Sequence, residues 1–245
     1  MKILGLIPAR GGSKSIPKKS ILNLAGFPML AYSVAAGKTS KLIDRVIVST
    51  DSPEIAEVGR KYGADVPFLR PSEYARDNSP DIEYVRHVIE WLRDNEHSVP
   101  DLIVQLRPTT PFRDPTVIDS AISRLCRHSD ASSLRSAHPA SESPFKWFLL
   151  GEDGLFRSLK DGCSNDAANL PRQSFPDVYI PNGYVDIIRT KNVLEQNVLY
   201  GDTMLGFVTP PCHEVDRPED VSFLEFQLAS GKTPLVEYLN STYRK

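Results

Sequence analysis

Cysteine is scarce in this chain. Only Cys126, Cys163 and Cys212 occur in 245 residues, far apart and odd in number. That argues against a disulfide framework or a zinc site and for a reducing compartment. A surplus of positive charge is missing too: the net charge is −2, where a general nucleic-acid binder carries a basic excess. No apolar run is long enough to cross a bilayer, and the start lacks the charged, apolar and cleavage regions of a signal peptide. A soluble cytoplasmic enzyme is therefore expected, without nucleic-acid or membrane partners. Two familiar phosphate-binding patterns are also absent. There is no Gly-x-x-x-x-Gly-Lys-Ser/Thr, and no Gly-x-Gly-x-x-Gly follows the first apolar run, which weighs against a P-loop ATPase and a dinucleotide site.

What is present is an alternation of strands and helices. At 245 residues the chain can bury a substantial core, and the alternation predicts one α/β domain over 1–245 with a mostly parallel sheet and an insertion. Ile3-Leu-Gly-Leu-Ile7, Arg45-Val-Ile-Val-Ser-Thr50 and Asp101-Leu-Ile-Val-Gln-Leu106 read as buried strands, and 131–136 as another. Helices are expected from Gly26 with Pro28 in the first turn, from Asp51-Ser-Pro-Glu to Gly63, and from Ser79 with Ile82, Val85, Ile89 and Leu92 on one face. Two more are expected from Asp114 and near the C-terminus, where Val221, Leu224 and Leu228 align. His87 and His97 have no ligand-like neighbours and read as structural. Beyond Glu142 the chain turns aromatic, with Asp153-Gly154 as the turn of a β-hairpin. Its apolar load calls for packing, on a partner or on its own subunit.

The stretch Ile7-Pro-Ala-Arg-Gly-Gly-Ser-Lys-Ser-Ile-Pro-Lys-Lys19 carries the most chemistry. It follows the first strand and gathers Arg10, Lys14, Lys18 and Lys19 around Gly11, Gly12, Ser13 and Ser15. Glycines let backbone N–H groups approach an anion, cationic side chains neutralise it, and open parallel sheets bind ligands at their carboxyl ends. The alternative is a solvated basic loop. Late in the chain, Glu214 and Asp216 alternate across one residue. On an extended strand both carboxylates face one side and offer hard oxygens to magnesium; otherwise they are a surface charge and a helix-entry carboxylate.

Pro8-Ala-Arg-Gly-Gly-Ser-Lys14, followed by Pro17 and Lys19, resembles the signature loop of the acylneuraminate cytidylyltransferases, also called CMP-sialic acid synthetases. The resemblance implies a Rossmann-like nucleotidyltransferase fold, coupling of CTP to a nine-carbon keto sugar acid, and Mg2+. It also implies a homodimer that exchanges an inserted β-hairpin arm, here 141–175. Arg10, Gly11, Gly12, Ser13, Lys14, Lys19 and Ser20 would hold the triphosphate, Ser20 standing where the family usually has asparagine. Asp51 and Ser52 read as helix caps, while the shared Val48-Ser-Thr-Asp51 implies a supporting role for Asp51 near the nucleotide. The pattern Leu69-Arg-Pro-x-Glu-x-Ala-x-Asp77 also matches the family, where it borders the base and sugar of CTP; this implies such a place for Arg70 and Asp77, the alternative for Arg70 being a surface arginine before a proline.

Leu106-Arg-Pro-Thr-Thr-Pro-Phe-Arg113 matches a family motif whose glutamine lies beside the acceptor sugar. Arg107 occupies that place, with Thr109 close by. A guanidinium suits a bidentate grip on a carboxylate, unless it turns outward. Pro171-Arg-Gln173 followed by Pro181-Asn-Gly183 is the second half-signature and implies acceptor contacts for Arg172, Asn182 and Gly183. Relatives often carry Arg before Pro-Asn-Gly and a tyrosine three residues past the glycine, where this chain has Ile180 and Asp186. Relatives hold the metal with two aspartates at the spacing of residues 214 and 216; here the first is Glu214. The expected activity is CMP transfer to a nonulosonic acid, with Arg10, Lys19 and Asp216 carrying catalysis. No histidine base emerges, so the proton acceptor stays between a metal-bound hydroxide and a nearby carboxylate. The alternatives are the same chemistry on an eight-carbon lipopolysaccharide acid, or a non-catalytic nucleotide-sugar sensor.

Overall fold

The first strand, β1 (Ile3–Pro8), is buried on both faces. Ile3 and Ile7 join one apolar cluster while Leu4 and Leu6 join another, the period-two division of an interior parallel strand. These positions come from a computed structural model, which describes residues 1–230 and 233–244. Lys245, the end of the domain expected from the sequence, lies outside the described residues.

After the phosphate-type loop, β2 (Asn23–Leu24) and β3 (Phe27–Pro28) pair around Gly26, and α1 (Met29–Thr39) follows. Pro28 is thus not in the helix's first turn. It pairs with Asn23 and precedes the helix in extended conformation, because Met29 N–H donates to Leu22 and the Asn23 side chain caps Gly26. The helix then runs buried from Met29 to Gly37. Gly37 permits this: a Cβ there would stand 2.7 Å from Val46 Cγ2, so only glycine lets helix and sheet approach so closely.

Next come β4 (Arg45–Ser49), α2 (Pro53–Lys61) with its Ser52 cap, α3 (Asp81–Glu96), β5 (Leu102–Gln105) and α4 (Pro115–Arg127) capped by Asp114. The remainder is β6 (Ser133–Pro139), the hairpin β7 (Phe148–Leu150) and β8 (Phe156–Ser158), β9 (Tyr179–Arg189), β10 (Met204–Val208), α5 (Pro218–Ser230) and α6 (Pro234–Tyr243). The main sheet has the order β10-β6-β9-β5-β1-β4. Strands β4, β1 and β5 are parallel, as are β6 and β10, while β9 runs antiparallel between the two groups. Residues of α1, α2, α4, α5 and α6 pack on one face, and α3 supplies Tyr84, Val85, Val88, Ile89 and Leu92 to the other.

Strand β10 is not expected from the sequence. It is a half-exposed five-residue edge with an interior glycine, so its alternation is weak. The segment of Glu214 and Asp216 is a loop and not the expected strand. His87 packs edge-on against Phe68, with ring centroids 4.7 Å apart, and burial lowers its pKa. His97 closes α3 in a left-handed conformation, so both histidines are structural. The three cysteines are free, and among the described residues no helix is long and apolar enough to cross a membrane. The hairpin leaves Phe148, Leu149, Leu150, Leu155 and Phe156 exposed, so it does not fold onto the body of its own subunit.

Candidate active site

The loop after β1 is fixed from both ends. Ala9 N–H donates to Ser49, and Gly11 N–H donates to Asp51 Oδ1 at 2.8 Å, so Asp51 braces the loop from the end of β4. Lys18 takes a left-handed φ of 53° and turns the chain into a short 3-10 helix that presents Lys19 and Ser20. Lys19 is 8% exposed, and its ammonium donates to Val215 O and to Asp216 Oδ1, both at 2.9 Å.

A cavity of about 360 Å3 opens at the carboxyl ends of β1, β4 and β5. Arg10, Ser13, Lys19 and Ser20 line it from the first loop, and Glu214 lines it from the late loop. Arg70, Tyr74, Asp77, Asp81 and Tyr84 form the opposite wall, with Arg107 and Thr109 between. The structure therefore brings together most of the residues expected to bind nucleotide, and Arg107 does not turn outward.

The charges in this cavity are organised in pairs. Arg10 meets Asp77 at 3.1 Å and donates to Arg76 O, while Lys14, at the rim, meets Asp77 at 2.6 Å. The hydrogen bond from Lys14 holds the Asp77 carboxyl below its ordinary value. Arg70 is 5% exposed; it donates to Ser49 Oγ and Ser49 O, and its guanidinium lies over the Tyr84 ring at 4.5 Å. Burial lowers the pKa of Arg70. Arg107 Nη2 meets Asp81 Oδ2 at 2.6 Å and Asp186 Oδ2 at 3.7 Å. Burial opposes the charge on Arg107, but Tyr84, Asp81 and Asp186 outweigh it and hold the group above its ordinary pKa. Asp186 is held above the carboxylate range by burial, since Arg107 and Arg135 stand too far off, at 3.7 and 3.8 Å, to offset it.

Besides Lys14 at the rim, six of the expected positions do not line this cavity. Gly11 and Gly12 lie in the loop backbone; a Cβ at Gly11 would sit 3.1 Å from Ser52 Cβ, whereas Gly12 has open space around it. Asn182 is engaged inside the sheet, donating to Thr209 Oγ1 at 2.7 Å and accepting from Ser136 Oγ at 2.8 Å. Arg172 lines a separate cavity of about 620 Å3 at the base of the arm and donates to Ala140 O. Gly183 takes a φ of +60°, and a Cβ there would lie 3.5 Å from Arg107 Cδ. Asp216 is largely exposed and reaches the site through Lys19.

Other residues organise the site without having been expected there. Arg113 is 2% exposed and binds Arg107 O, Thr110 O, Gly183 O, Tyr184 O and Ser33 Oγ, which locks the loop after β5 onto β9. Burial brings its pKa down to about 10, so it is still a cation at neutral pH. Asp220 Oδ2 accepts from the N–H groups of Asp216 and Arg217. Asp81 and Tyr84 form a wall of the cavity. Only Arg113 lay inside a quoted motif; the others sit on helices whose apolar periodicity drew attention away from their polar residues.

Magnesium is tested by the donor set. Glu214 lines the cavity, accepting from Thr109 at 2.7 Å, and Asp216 adjoins it through Lys19. Mg2+ is usually held by one or two carboxylates and completed by substrate phosphates and water. Two carboxylates beside a cationic loop fit that habit, and among the described residues no group of three or more His, Cys, Asp or Glu assembles into an all-protein cage.

The family model described as Cytidylyltransferase matches residues 4–146, more than half of the chain. The chain belongs to the cytidylyltransferase family. It is 30% identical to a CMP-N,N'-diacetyllegionaminic acid synthase of Legionella pneumophila over 96% of this chain and 100% of that one. It is 35% identical to a pseudaminic acid cytidylyltransferase of Campylobacter jejuni over 91% of this chain and 94% of that one. Among solved structures, a CMP:2-keto-3-deoxy-manno-octonic acid synthetase complexed with CTP shares the fold, with a TM-score of 0.69 and 16% identity, covering 94% of this chain and 99% of the other. The fold is the Rossmann-like nucleotidyltransferase type that the sequence led one to expect.

Proposed function

We propose that this cytidylyltransferase moves CMP from CTP to the anomeric hydroxyl of a nine-carbon 2-keto sugar acid and releases pyrophosphate. The observation that carries the reading is the cavity in which Arg10, Ser13, Lys19 and Ser20 face Glu214 and Arg107, in a chain whose relatives are named for legionaminic and pseudaminic acids. The chemical demand is to let a neutral hydroxyl attack a negatively charged α-phosphate, and fixed positive charge meets it by screening that charge and stabilising the leaving pyrophosphate. In this reading Arg10 and Lys19 hold the triphosphate, Ser13 donates a hydroxyl, and Arg70 with Tyr84 borders the nucleoside. Mg2+ held by Glu214 and Asp216 would supply further charge neutralisation and a template for the phosphates. Asp77 frees Arg10 and Lys14 as phosphate oxygens take its place. Arg172 lies at the end of the arm, so its contact with an acceptor would come across a dimer, for which the exposed hairpin is suited. A cytoplasmic setting agrees with the three free cysteines.

The test is pyrophosphate release with CTP, Mg2+ and a panel of acids: N-acetylneuraminic, N,N'-diacetyllegionaminic and pseudaminic acid, with the eight-carbon keto sugar acid as comparator. Release that requires CTP and a nine-carbon acid supports the reading. Faster release with the eight-carbon acid, or none with any acid, overturns it.

A further inference from the structure

We infer that Arg107 and Asp81 together read an uncharged donor–acceptor group of the acceptor acid, an N-acyl amide or a hydroxyl, and that Asp186 is the positioning residue that sets the guanidinium in place. The inference rests on the functional reading above.

Charge is the first argument. A free guanidinium in a substrate cavity is matched to a carboxylate, but Arg107 already meets Asp81 at 2.6 Å and Asp186 at 3.7 Å. Asp81 lines the same cavity and repels a second carboxylate brought to the same place. What remains is complementary to a neutral group. An amide N–H or a hydroxyl donates to Asp81, and the corresponding oxygen accepts from a guanidinium N–H, of which arginine has five.

Support behind the pair is the second argument. Asp186 is 2% exposed and lies on β9 opposite Gln105 of β5 and Arg135 of β6. It accepts from Tyr200 OH at 3.2 Å, yet its Oδ1 and Arg135 Nε are both buried without a hydrogen-bond partner. An incompletely satisfied buried carboxylate costs stability; here it fixes the inner side of Arg107. Behind the stem, Arg113 holds the Arg107 carbonyl at 2.7 Å. The guanidinium is therefore held in one orientation, as discrimination between similar sugar acids requires.

The experiment measures acceptor KM and kcat, and CTP Kd by calorimetry, for the wild type, Arg107→Gln, Asp81→Asn, Asp186→Asn and the pairwise doubles. The acceptors are the nine-carbon acids above and the analogue with hydroxyls in place of the N-acyl groups. Arg107→Gln and Asp81→Asn are expected to raise acceptor KM roughly 10- to 100-fold, the range for lost hydrogen bonds to charged groups, with kcat and CTP Kd nearly unchanged. The double should be little worse than either single. Asp186→Asn should raise KM by less, and not at all once Arg107 is glutamine, which a merely structural role would not produce. A KM loss confined to the N-acyl acids assigns the amide, and a loss shared by the hydroxyl analogue assigns a hydroxyl. An unchanged acceptor KM, or a loss of CTP affinity, in folded Arg107→Gln and Asp81→Asn overturns the inference alone. A wild-type chain inactive with every acid overturns the functional reading and this inference with it.

Discussion

Lys19 and Asp216 form an ion pair of 2.9 Å between residues 197 apart in the chain. The pair joins the loop that follows the first strand to the loop that precedes α5. Because Lys19 also holds Val215 O, one ammonium fixes the distance between the cationic and acidic halves of the site.

Lys19→Met keeps the stem and deletes the charge. It is expected to lower kcat/KM for CTP by about 100-fold or more, the scale of removing one preorganised donor from a charged transition state. Asp216→Asn is expected to lower kcat and to raise the magnesium concentration needed for half-maximal rate. Pyrophosphate release titrated against CTP and magnesium reads both. A Lys19→Met enzyme within about threefold of wild type would place the lysine outside the reaction.

Arg113→Met leaves Arg107 O, Thr110 O, Gly183 O and Tyr184 O without their shared donor in the core. The expected loss of stability is about 3–5 kcal/mol, as for breaking a buried, hydrogen-bonded charge. Denaturant unfolding measures it. Arg113→Lys, with three donors for five acceptors, should fall between wild type and Met.

Asp220 gives a pH dependence with a definite sign. Hydrogen bonds from Asp216 N–H and Arg217 N–H depress its pKa below the ordinary 3.8. A depressed carboxylate stabilises the fold above its unfolded pKa, and the effect disappears as pH falls through the folded value. Asp220→Asn should therefore be slightly less stable than wild type at neutral pH, and the two should converge as pH falls through the depressed folded value. The contribution is small because the group is exposed. Equal unfolding midpoints at neutral pH would remove Asp220 as the anchor of Asp216.

The arm predicts an assembly. Phe148, Leu150 and Phe156 are exposed on β7 and β8, and burying three such side chains is worth roughly 1.5–3 kcal/mol each. The wild type should sediment as a dimer, and Leu150→Glu with Phe156→Glu as a monomer that still binds CTP. A wild type that is monomeric at micromolar concentration would sink the exchanged-arm reading.

Much of this was legible beforehand, for physical reasons that differ by element. Strands buried on both faces, such as 3–7 and 102–105, announce themselves as apolar runs, and α2 and α4 carry side-chain caps that mark their first turns. The phosphate-type loop was legible because glycine and lysine are concentrated there. Strand β10 was not, since an exposed edge needs no strong alternation. At 214–216 spacing alone cannot separate an extended loop from a paired strand, and the segment is a loop. Arg107 illustrates the limit most clearly: its charge was visible, but the carboxylates that claim it come from α3 and β9, brought close only by the sheet order.

The antiparallel strand also bears on how the protein is made. During synthesis β4, β1 and β5 can assemble as soon as they leave the ribosome, through local strand–helix–strand units. Strand β6 has no seat at that stage, because β9, its link to the rest of the sheet, emerges only some forty residues later. Until then β6 and the apolar hairpin wait unpaired, which makes the span from Ser133 to Arg189 the interval in which a nascent chain is most exposed to aggregation and most in need of a chaperone.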